Sequence, residues 1–185
     1  MGKEQDSNYY NVVFENAPYY HKGWEDMGLW SIIWEKSLPI IKENNVRSIL
    51  DIGSGMGQFG QACVQNGLKY KGIDFSEYAV FYSKKNKVKD EEFECVDVFK
   101  YDFIDEVDCY VSHEFLEHIE KDLEVIQKLP PNRLFIFSVP DFDDPGHVRW
   151  FNNTEQVIER YSPYLNNLQV NKITDRHYLG FAYTL

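Results

Sequence analysis

Short apolar runs bounded by turn-forming or acidic residues alternate with amphipathic stretches from residue 46 onward. The apolar runs predict seven strands, at Ser48–Ile52, Lys69–Asp74, Glu92–Val98, Val107–Ser112, Arg133–Val139, Leu168–Ile173 and Tyr178–Tyr183. Helix signals fall between them, such as the N-cap Ser76 before a helix to about Lys85 and a helix from Thr154 to about Tyr161. This alternation is typical of an α/β protein with a mostly parallel sheet.

The first 45 residues follow a different pattern. Their apolar side chains recur at three- and four-residue spacing, at Tyr9, Tyr10, Val13, Phe14, Trp30, Ile33, Trp34, Leu38 and Ile41. Such spacing predicts helices with one apolar face. We expect one domain over residues 1–185, with a helical extension at 1–45 and the sheet at 46–185.

A glycine-rich turn follows the first predicted strand, with Gly53, Gly55 and Gly57 two residues apart. Glycine lacks the Cβ atom that would keep a ligand away from the backbone. The first amides of the following helix are unpaired and point into the same space. Asp51 lies near the end of the strand, two residues before Gly53, and its carboxylate suits a ligand with a cationic end. The turn therefore predicts a nucleotide-like ligand that carries a positive charge.

The run from Asp51 to Gly57 resembles the first motif of class I S-adenosylmethionine-dependent methyltransferases, and His113–Ile119 resembles their fourth motif. The resemblance implies a doubly wound, seven-stranded, mostly parallel sheet of order 3-2-1-4-5-7-6, with the last strand antiparallel and helices on both faces. It also implies an N-terminal helical lid over residues 1–45. The implied cofactor is S-adenosylmethionine, with Asp51 and the three glycines in its site.

Further cofactor contacts come from the ends of the next strands, as the resemblance implies. Asp74 lies about twenty residues beyond the glycine turn and would bind both ribose hydroxyls. Phe75 and Ser76 would flank the adenine.

The third predicted strand would complete the adenine site. Asp97 would accept a hydrogen bond from the adenine amino group, and the backbone amide of Val98 would meet the ring. Asp102 and Asp105 are nearby alternatives to Asp97.

The remaining cofactor contacts lie near the transferring methyl group and in the extension. His113 would lie beside the methionine part of the cofactor, so it is both a cofactor contact and a candidate acid or base. Tyr20 and Trp24 are candidate lid contacts, although packing of these aromatic side chains against the sheet explains them equally well.

The segment 139–152 is a loop rich in proline, glycine and aspartate. It follows the carboxyl end of a strand, where open α/β sheets bind their ligands. Its functional side chains make Asp141, His147 and Arg149 candidate contacts to the methyl acceptor. The loop resembles sequences of methyltransferases encoded near surface-polysaccharide genes. We therefore expect a small hydroxylated acceptor, such as a sugar or a glycan precursor.

Methyl transfer from a sulfonium is an in-line displacement, so the protein mainly aligns the two reactants. A hydroxyl acceptor often also needs a base, and histidine is the best-matched side chain near neutral pH. The candidates, in order, are His147, His113, His118 and Asp141. His118 has a second interpretation, as a structural residue that locks the start of a helix onto the sheet.

Two alternatives remain open. Glu114, Glu117 and His118 fall on one face of a predicted helix and, with His147, resemble the metal set of small-RNA 2′-O-methyltransferases. The same motif also occurs in family members without metal, and the spacing to His147 is short, so we expect no metal. The second alternative is an NAD-type or non-catalytic nucleotide-binding domain, since Gly55–Gly60 also matches a dinucleotide motif.

Composition narrows the class of protein. A net charge of −11 over 185 residues disfavours a broad nucleic-acid surface. No apolar run approaches the roughly 20 residues that span a bilayer. Three cysteines without metal spacing indicate reduced thiols. We expect a cytoplasmic enzyme, monomeric or homodimeric, that acts on a small molecule without nucleic-acid or membrane partners.

Overall fold

The computed structural model describes residues 2–87, 91–103 and 107–185. Within these ranges the strands are β1 Ser48–Ile52, β2 Lys69–Asp74, β3 Glu91–Cys95, β4 Cys109–His113, β5 Leu134–Pro140, β6 Leu165–Lys172 and β7 His177–Thr184. They form one seven-stranded sheet of order β3-β2-β1-β4-β5-β7-β6. β7 runs antiparallel to both of its neighbours, and the other pairs are parallel. The implied topology is confirmed.

The described α-helices are α1 Ser7–Asn16, α2 Leu29–Glu43, α3 Gln58–Gln65, α4 Glu77–Asn86, α5 Asp122–Lys128 and α6 Thr154–Tyr161. The N-cap role of Ser76 and the bounds of α6 agree with the sequence signals. Short 3-10 turns occupy Pro18–His21, Trp24–Asp26, Val98–Lys100, Leu116–His118 and Ser162–Tyr164.

The segment after β4 does not form the α-helix that the sequence predicts. Glu114 has a left-handed backbone conformation with φ of 49°, and only the 3-10 turn Leu116–His118 follows it. The premise that Glu114, Glu117 and His118 share one helical face is therefore wrong.

Helices cover both faces of the sheet, and the central strands are buried along almost their whole length. Every residue of β5 is buried, as expected for a strand that packs on both sides. Phe135 and Phe137 pack towards Tyr161 of α6, while Ile136 belongs to the opposite core with Ile33 of α2.

β7 approaches the ring of Phe137 at Gly180. A Cβ atom built there would lie 2.6 Å from Phe137 Cε1, closer than real Cβ atoms come to other atoms. A side chain at this position requires the fully buried phenyl ring to move.

We expect Gly180→Ala to lower the free energy of unfolding by about 1–3 kcal/mol, the usual cost of overpacking a core. Gly23→Ala is the matched control, because a Cβ atom at Gly23 has nothing within 4 Å. Its effect should stay within about 0.5 kcal/mol. Urea unfolding of both variants measures the difference, and equal effects would contradict the packing argument.

Candidate active site

A cavity of about 1030 Å³ opens at the carboxyl ends of β1, β2 and β4, with α1 across it. Its volume is at the upper end of the range for small-molecule sites. The glycine turn lines one end. Glu117, His118 and His147 line the other end. One cavity therefore joins the predicted cofactor residues to the predicted acceptor loop.

Asp74 lies at the end of β2 and lines the cavity. Its Oδ2 accepts a hydrogen bond from the Gly55 amide at 2.9 Å, and its Oδ1 accepts one from the Ser76 amide at 2.8 Å. Burial raises the pKa of Asp74, although the hydrogen bonds that the Ser76 and Gly55 amides donate to it oppose this change. The carboxylate therefore fixes the glycine turn and borders the space predicted for the ribose.

Asp51 does not line the cavity. Its Oδ2 accepts a hydrogen bond from Tyr70 Oη at 2.5 Å beneath the glycine turn. Burial raises its pKa from 3.8 to about 7; the bond from Tyr70 lowers it and the charge of Asp74 raises it. The expected direct contact with the cationic end of the cofactor is therefore absent from this geometry.

Phe75, Asp97 and Val98 line the cavity, as expected for an adenine site. β3 ends before Asp97, whose Oδ1 accepts a hydrogen bond from the Phe99 amide at 3.0 Å. The alternative Asp102 is exposed and lies outside the lining, and Asp105 lies outside the described residues. Asp97 thus remains the candidate for the adenine amino group.

Other predicted cofactor residues divide into two groups. Gly53, Gly55 and Tyr20 line the cavity. Gly57, Ser76 and Trp24 do not. Ser76 and Gly57 occupy the N-cap positions of α4 and α3, and Trp24 Nε1 donates a hydrogen bond to Gln65. These three residues support the site instead of facing it.

His113 is buried at the end of β4 and lines the cavity. The hydroxyl of Ser37 donates to the carbonyl of Ile33, so it accepts the proton of His113 Nε2 at 2.9 Å. Burial lowers the pKa of His113 from 6.5 to about 3. The ring therefore stays neutral and is a poor base near pH 7, which weighs against the catalytic prediction.

His118 contacts two groups through Nδ1: Tyr10 Oη at 2.9 Å and the carbonyl oxygen of Gly146 at 3.0 Å. Because a carbonyl oxygen only accepts, Nδ1 carries the proton and Nε2 keeps a lone pair. Burial lowers the pKa of His118 to about 4, and repulsion from His147 adds to this effect.

His147 is 5% exposed and lies beside His118, with ring centroids 4.8 Å apart. Its Nδ1 lies 3.0 Å from the carbonyl oxygen of Phe142, which again places the proton on Nδ1. The acceptor loop therefore brings a second imidazole beside that of His118.

Glu117 completes a cluster with these histidines. Its side chain is fully buried, and neither carboxylate oxygen has a hydrogen-bond partner among the described residues. Burial raises its pKa well above the usual range, and Glu114 adds to the effect. One ligand atom from each of Glu117, His118 and His147 lies within 4.8 Å of the others.

Glu114 is directed away from this cluster. Its Oε1 accepts a hydrogen bond from Ser138 Oγ at 2.7 Å, and its Oε2 lies 3.3 Å from His177 Nε2. The four-residue metal set considered from sequence is therefore reduced to three residues.

Arg149 has a structural role in place of the expected acceptor contact. Its guanidinium donates to the carbonyl oxygens of Leu116, Ile119 and Glu120 and lies 3.3 Å from the carboxylate of Asp122. It does not line the cavity. The side chain fastens the acceptor loop to the turn that carries Glu117 and His118.

Asp141 also lies outside the cavity lining. Its carboxylate binds Lys172 Nζ at 2.8 Å, and its amide donates to the carbonyl oxygen of Arg176 at 2.9 Å. The structure therefore supports neither an acceptor contact nor a base role for Asp141.

Many solved structures share this fold, among them the following three. A protein from Pyrococcus horikoshii OT3 has a TM-score of 0.74 at 19% identity, over 94% of this chain and 99% of its own. The DhpI–SAH complex has a TM-score of 0.74 at 16% identity, over 96% and 94%. The Burkholderia thailandensis 1,6-didemethyltoxoflavin-N1-methyltransferase has a TM-score of 0.70 at 14% identity, over 100% and 92%. At these identities the likeness establishes the fold.

Residues 50–129 match the methyltransferase domain family, and this span contains the glycine turn, Asp74, Asp97 and His113. The family match over residues 50–129 and the shared fold support a class I S-adenosylmethionine-dependent methyltransferase, with S-adenosylmethionine as the cofactor. The family match decides against the dinucleotide interpretation of Gly55–Gly60. No curated protein matches the sequence at a significant level.

The methyltransferase cavity includes side chains of α1 that sequence reasoning assigned only to an apolar helix face. Tyr10 and Phe14 line it. Asn11 Oδ1 accepts hydrogen bonds from Ser76 Oγ at 2.7 Å and from the Tyr78 amide at 3.1 Å. Helical spacing locates such residues on one face but does not tell what that face covers. No described helix combines the length and apolar character that crossing a bilayer requires.

We expect Asp51→Asn to stabilise the methyltransferase increasingly as pH rises. The folded chain keeps the Asp51 proton to about pH 7, whereas the unfolded chain releases it near pH 4. Between these two pH values the folded state binds more protons than the unfolded state. The contribution of Asp51 to the free energy of unfolding therefore falls as pH rises. Urea unfolding at pH 5 and 8 measures a gain of up to about 4 kcal/mol at the higher pH.

Asp108→Asn is the control of opposite sign. Burial raises the pKa of Asp108, but hydrogen bonds from Arg47 and Ser48 outweigh it and lower the pKa overall. The ionised Asp108 therefore stabilises the folded chain above pH 4, and its loss should cost stability at both pH values. A pH-independent effect of Asp51→Asn would contradict the burial argument.

Proposed function

We propose that this methyltransferase transfers the methyl group of S-adenosylmethionine to a small hydroxylated acceptor, such as a sugar or a glycan precursor. The observation that supports this most is the single cavity, which joins the glycine turn to the loop that carries His147. Both reactants can occupy it with the methyl group between them, as in-line displacement requires.

In this proposal the cofactor occupies the end of the cavity bordered by Gly53, Gly55 and Asp74. Asp74 accepts hydrogen bonds from the ribose, and Asp97 accepts one from the adenine amino group, with the Val98 amide at the ring edge. Asp51 supports the turn from beneath, and the charge that it carries above about pH 7 attracts the sulfonium without direct contact. His113 presents a neutral ring to the methionine part.

The end of the cavity that would hold the methyl acceptor also supplies the base. His147 is the first choice because Phe142 holds its Nδ1, which leaves Nε2 for the acceptor proton. As the acceptor oxygen bonds to the methyl carbon, the carbon–sulfur bond breaks and the oxygen's proton passes to Nε2. Residues 1–45 act as the lid, with Tyr10 and Phe14 excluding water from the methyl group.

The charge of the cavity favours a neutral acceptor over a nucleic acid. Acidic side chains border its acceptor end and rim, at Glu4, Asp6, Glu114, Glu120 and Asp144. Repulsion by these groups disfavours a phosphate backbone. The Burkholderia thailandensis enzyme was solved with a small molecule, 1,6-didemethyltoxoflavin, in addition to S-adenosylhomocysteine. We further propose a cytoplasmic monomer or homodimer.

We expect Asp74→Ala to abolish binding of S-adenosylhomocysteine in calorimetry, because the ribose loses its acceptor and the glycine turn loses its anchor. Asp102→Ala removes an exposed carboxylate outside the cavity and should bind like the parent chain. Binding of NADH without binding of S-adenosylhomocysteine would refute the proposal.

We expect His147→Ala to retain S-adenosylhomocysteine binding but to lower turnover by about 10²–10⁴-fold, the usual contribution of a general base. Release of S-adenosylhomocysteine in the presence of a panel of hydroxylated acceptors measures turnover. Equal loss of cofactor binding in His147→Ala and Asp74→Ala would contradict the division of roles.

A further inference from the structure

Glu117, His118 and His147 converge at the acceptor end of the cavity. Their ligand atoms lie within 4.8 Å of one another, and His118 Nε2 is 3.7 Å from Glu117 Oε1. At 3.7 Å these two atoms are too far apart for a hydrogen bond. The space between the three side chains is thus bordered by acceptor atoms that do not satisfy one another.

Both histidines keep a lone pair on Nε2. Their Nδ1 atoms are held by the carbonyl oxygens of Gly146 and Phe142, at 3.0 Å in each case. Histidines that bind metals usually donate their other ring nitrogen in this way, and the bond fixes both tautomer and orientation. Gly146 permits the approach, because a Cβ atom there would lie only 3.3 Å from His118 Nδ1.

The Glu117 carboxylate points to a cation site independently of the two histidines. It is fully buried, and neither oxygen has a hydrogen-bond partner among the described residues. Buried carboxylates are normally paired or coordinated to a metal ion. Arg149, the nearby cation, uses its guanidinium on backbone carbonyls and on Asp122. A cation from solution is therefore the partner that this carboxylate lacks.

We propose that Glu117, His118 and His147 bind a divalent transition-metal ion that also binds the acceptor hydroxyl. Two imidazoles and one carboxylate favour ions such as Fe²⁺, Co²⁺ or Zn²⁺ over Mg²⁺, which prefers oxygen ligands. Three protein ligands on one side leave positions open for the acceptor oxygen. Metal–ligand bonds of about 2.0–2.2 Å require the side chains to close in further than they stand here.

This inference rests on the proposed function and changes one of its steps. The cation lowers the pKa of the bound hydroxyl, so the proton leaves to solvent before the oxygen attacks the methyl group. The oxygen–carbon bond then forms as the carbon–sulfur bond breaks. His147 Nε2 holds the metal in this form, and its role as base is confined to the metal-free chain.

The test is titration of the untagged, chelator-treated chain with Co²⁺, followed by the visible absorption of the bound ion. We expect saturable binding of one ion per chain. Glu117→Gln and His147→Gln should each weaken it by about tenfold or more, because even residues behind the ligands contribute that much. His21→Gln is the matched control: it alters an exposed histidine whose Nε2 contacts the carbonyl of Glu15, away from the cluster.

Calorimetry with S-adenosylhomocysteine and thermal unfolding of the same variants show whether each one is folded. The inference is overturned by absence of saturable Co²⁺ binding in the folded parent chain, or by folded Glu117→Gln binding Co²⁺ as the parent does. Displacement of Co²⁺ by an equal concentration of Mg²⁺ overturns the choice of metal class. Failure to bind S-adenosylhomocysteine while Co²⁺ still binds would instead refute the proposed function alone.

Discussion

The carboxylate of Asp74 is the interaction on which the cofactor end depends. It joins the Gly55 amide of the glycine turn to the Ser76 amide at the start of α4, so one side chain fixes the relative position of two loops. Both loops lie at the same edge of the sheet, because the parallel strands that precede them end there. Without the bridge, the backbone amides of the turn would lose their orientation towards a ligand. Fold and cofactor site are therefore coupled at one buried group.

A second set of contacts orders the acceptor end. The Val148 amide donates to the carbonyl of Glu117 at 2.8 Å, and Arg149 binds three carbonyl oxygens of the same turn. These bonds join segments about thirty residues apart and hold Glu117 and His147 together before any ligand arrives. Burial of a carboxylate without a partner is unfavourable in itself, so the surrounding bonds must stabilise this arrangement. An unfavourable contribution to stability of this kind is typical of functional sites.

The sequence predicted the strands because short runs that contain apolar residues are bounded by acidic or turn-forming residues. The motif resemblance, and not periodicity, implied the order of the sheet. The 3-10 turn at Leu116–His118 was missed because Glu114 has a left-handed conformation that its residue type does not indicate. The roles of Asp51 and Arg149 depend on partners distant in sequence, Tyr70 and the carbonyls of residues 116–120. Residue type led to candidates that border one cavity, but it could not say which side chains face that cavity.

One helix contacts both ends of the cavity. On α1, Asn11 accepts hydrogen bonds from the start of α4 beside the adenine site, while the adjacent Tyr10 contacts His118 at the acceptor end. α1 itself buries none of its residues, so its position depends on these few polar and aromatic contacts. The contacts of Asn11 and Tyr10 come from adjacent residues of one helix. The adenine side and the acceptor end are therefore joined through α1 as well as through the sheet.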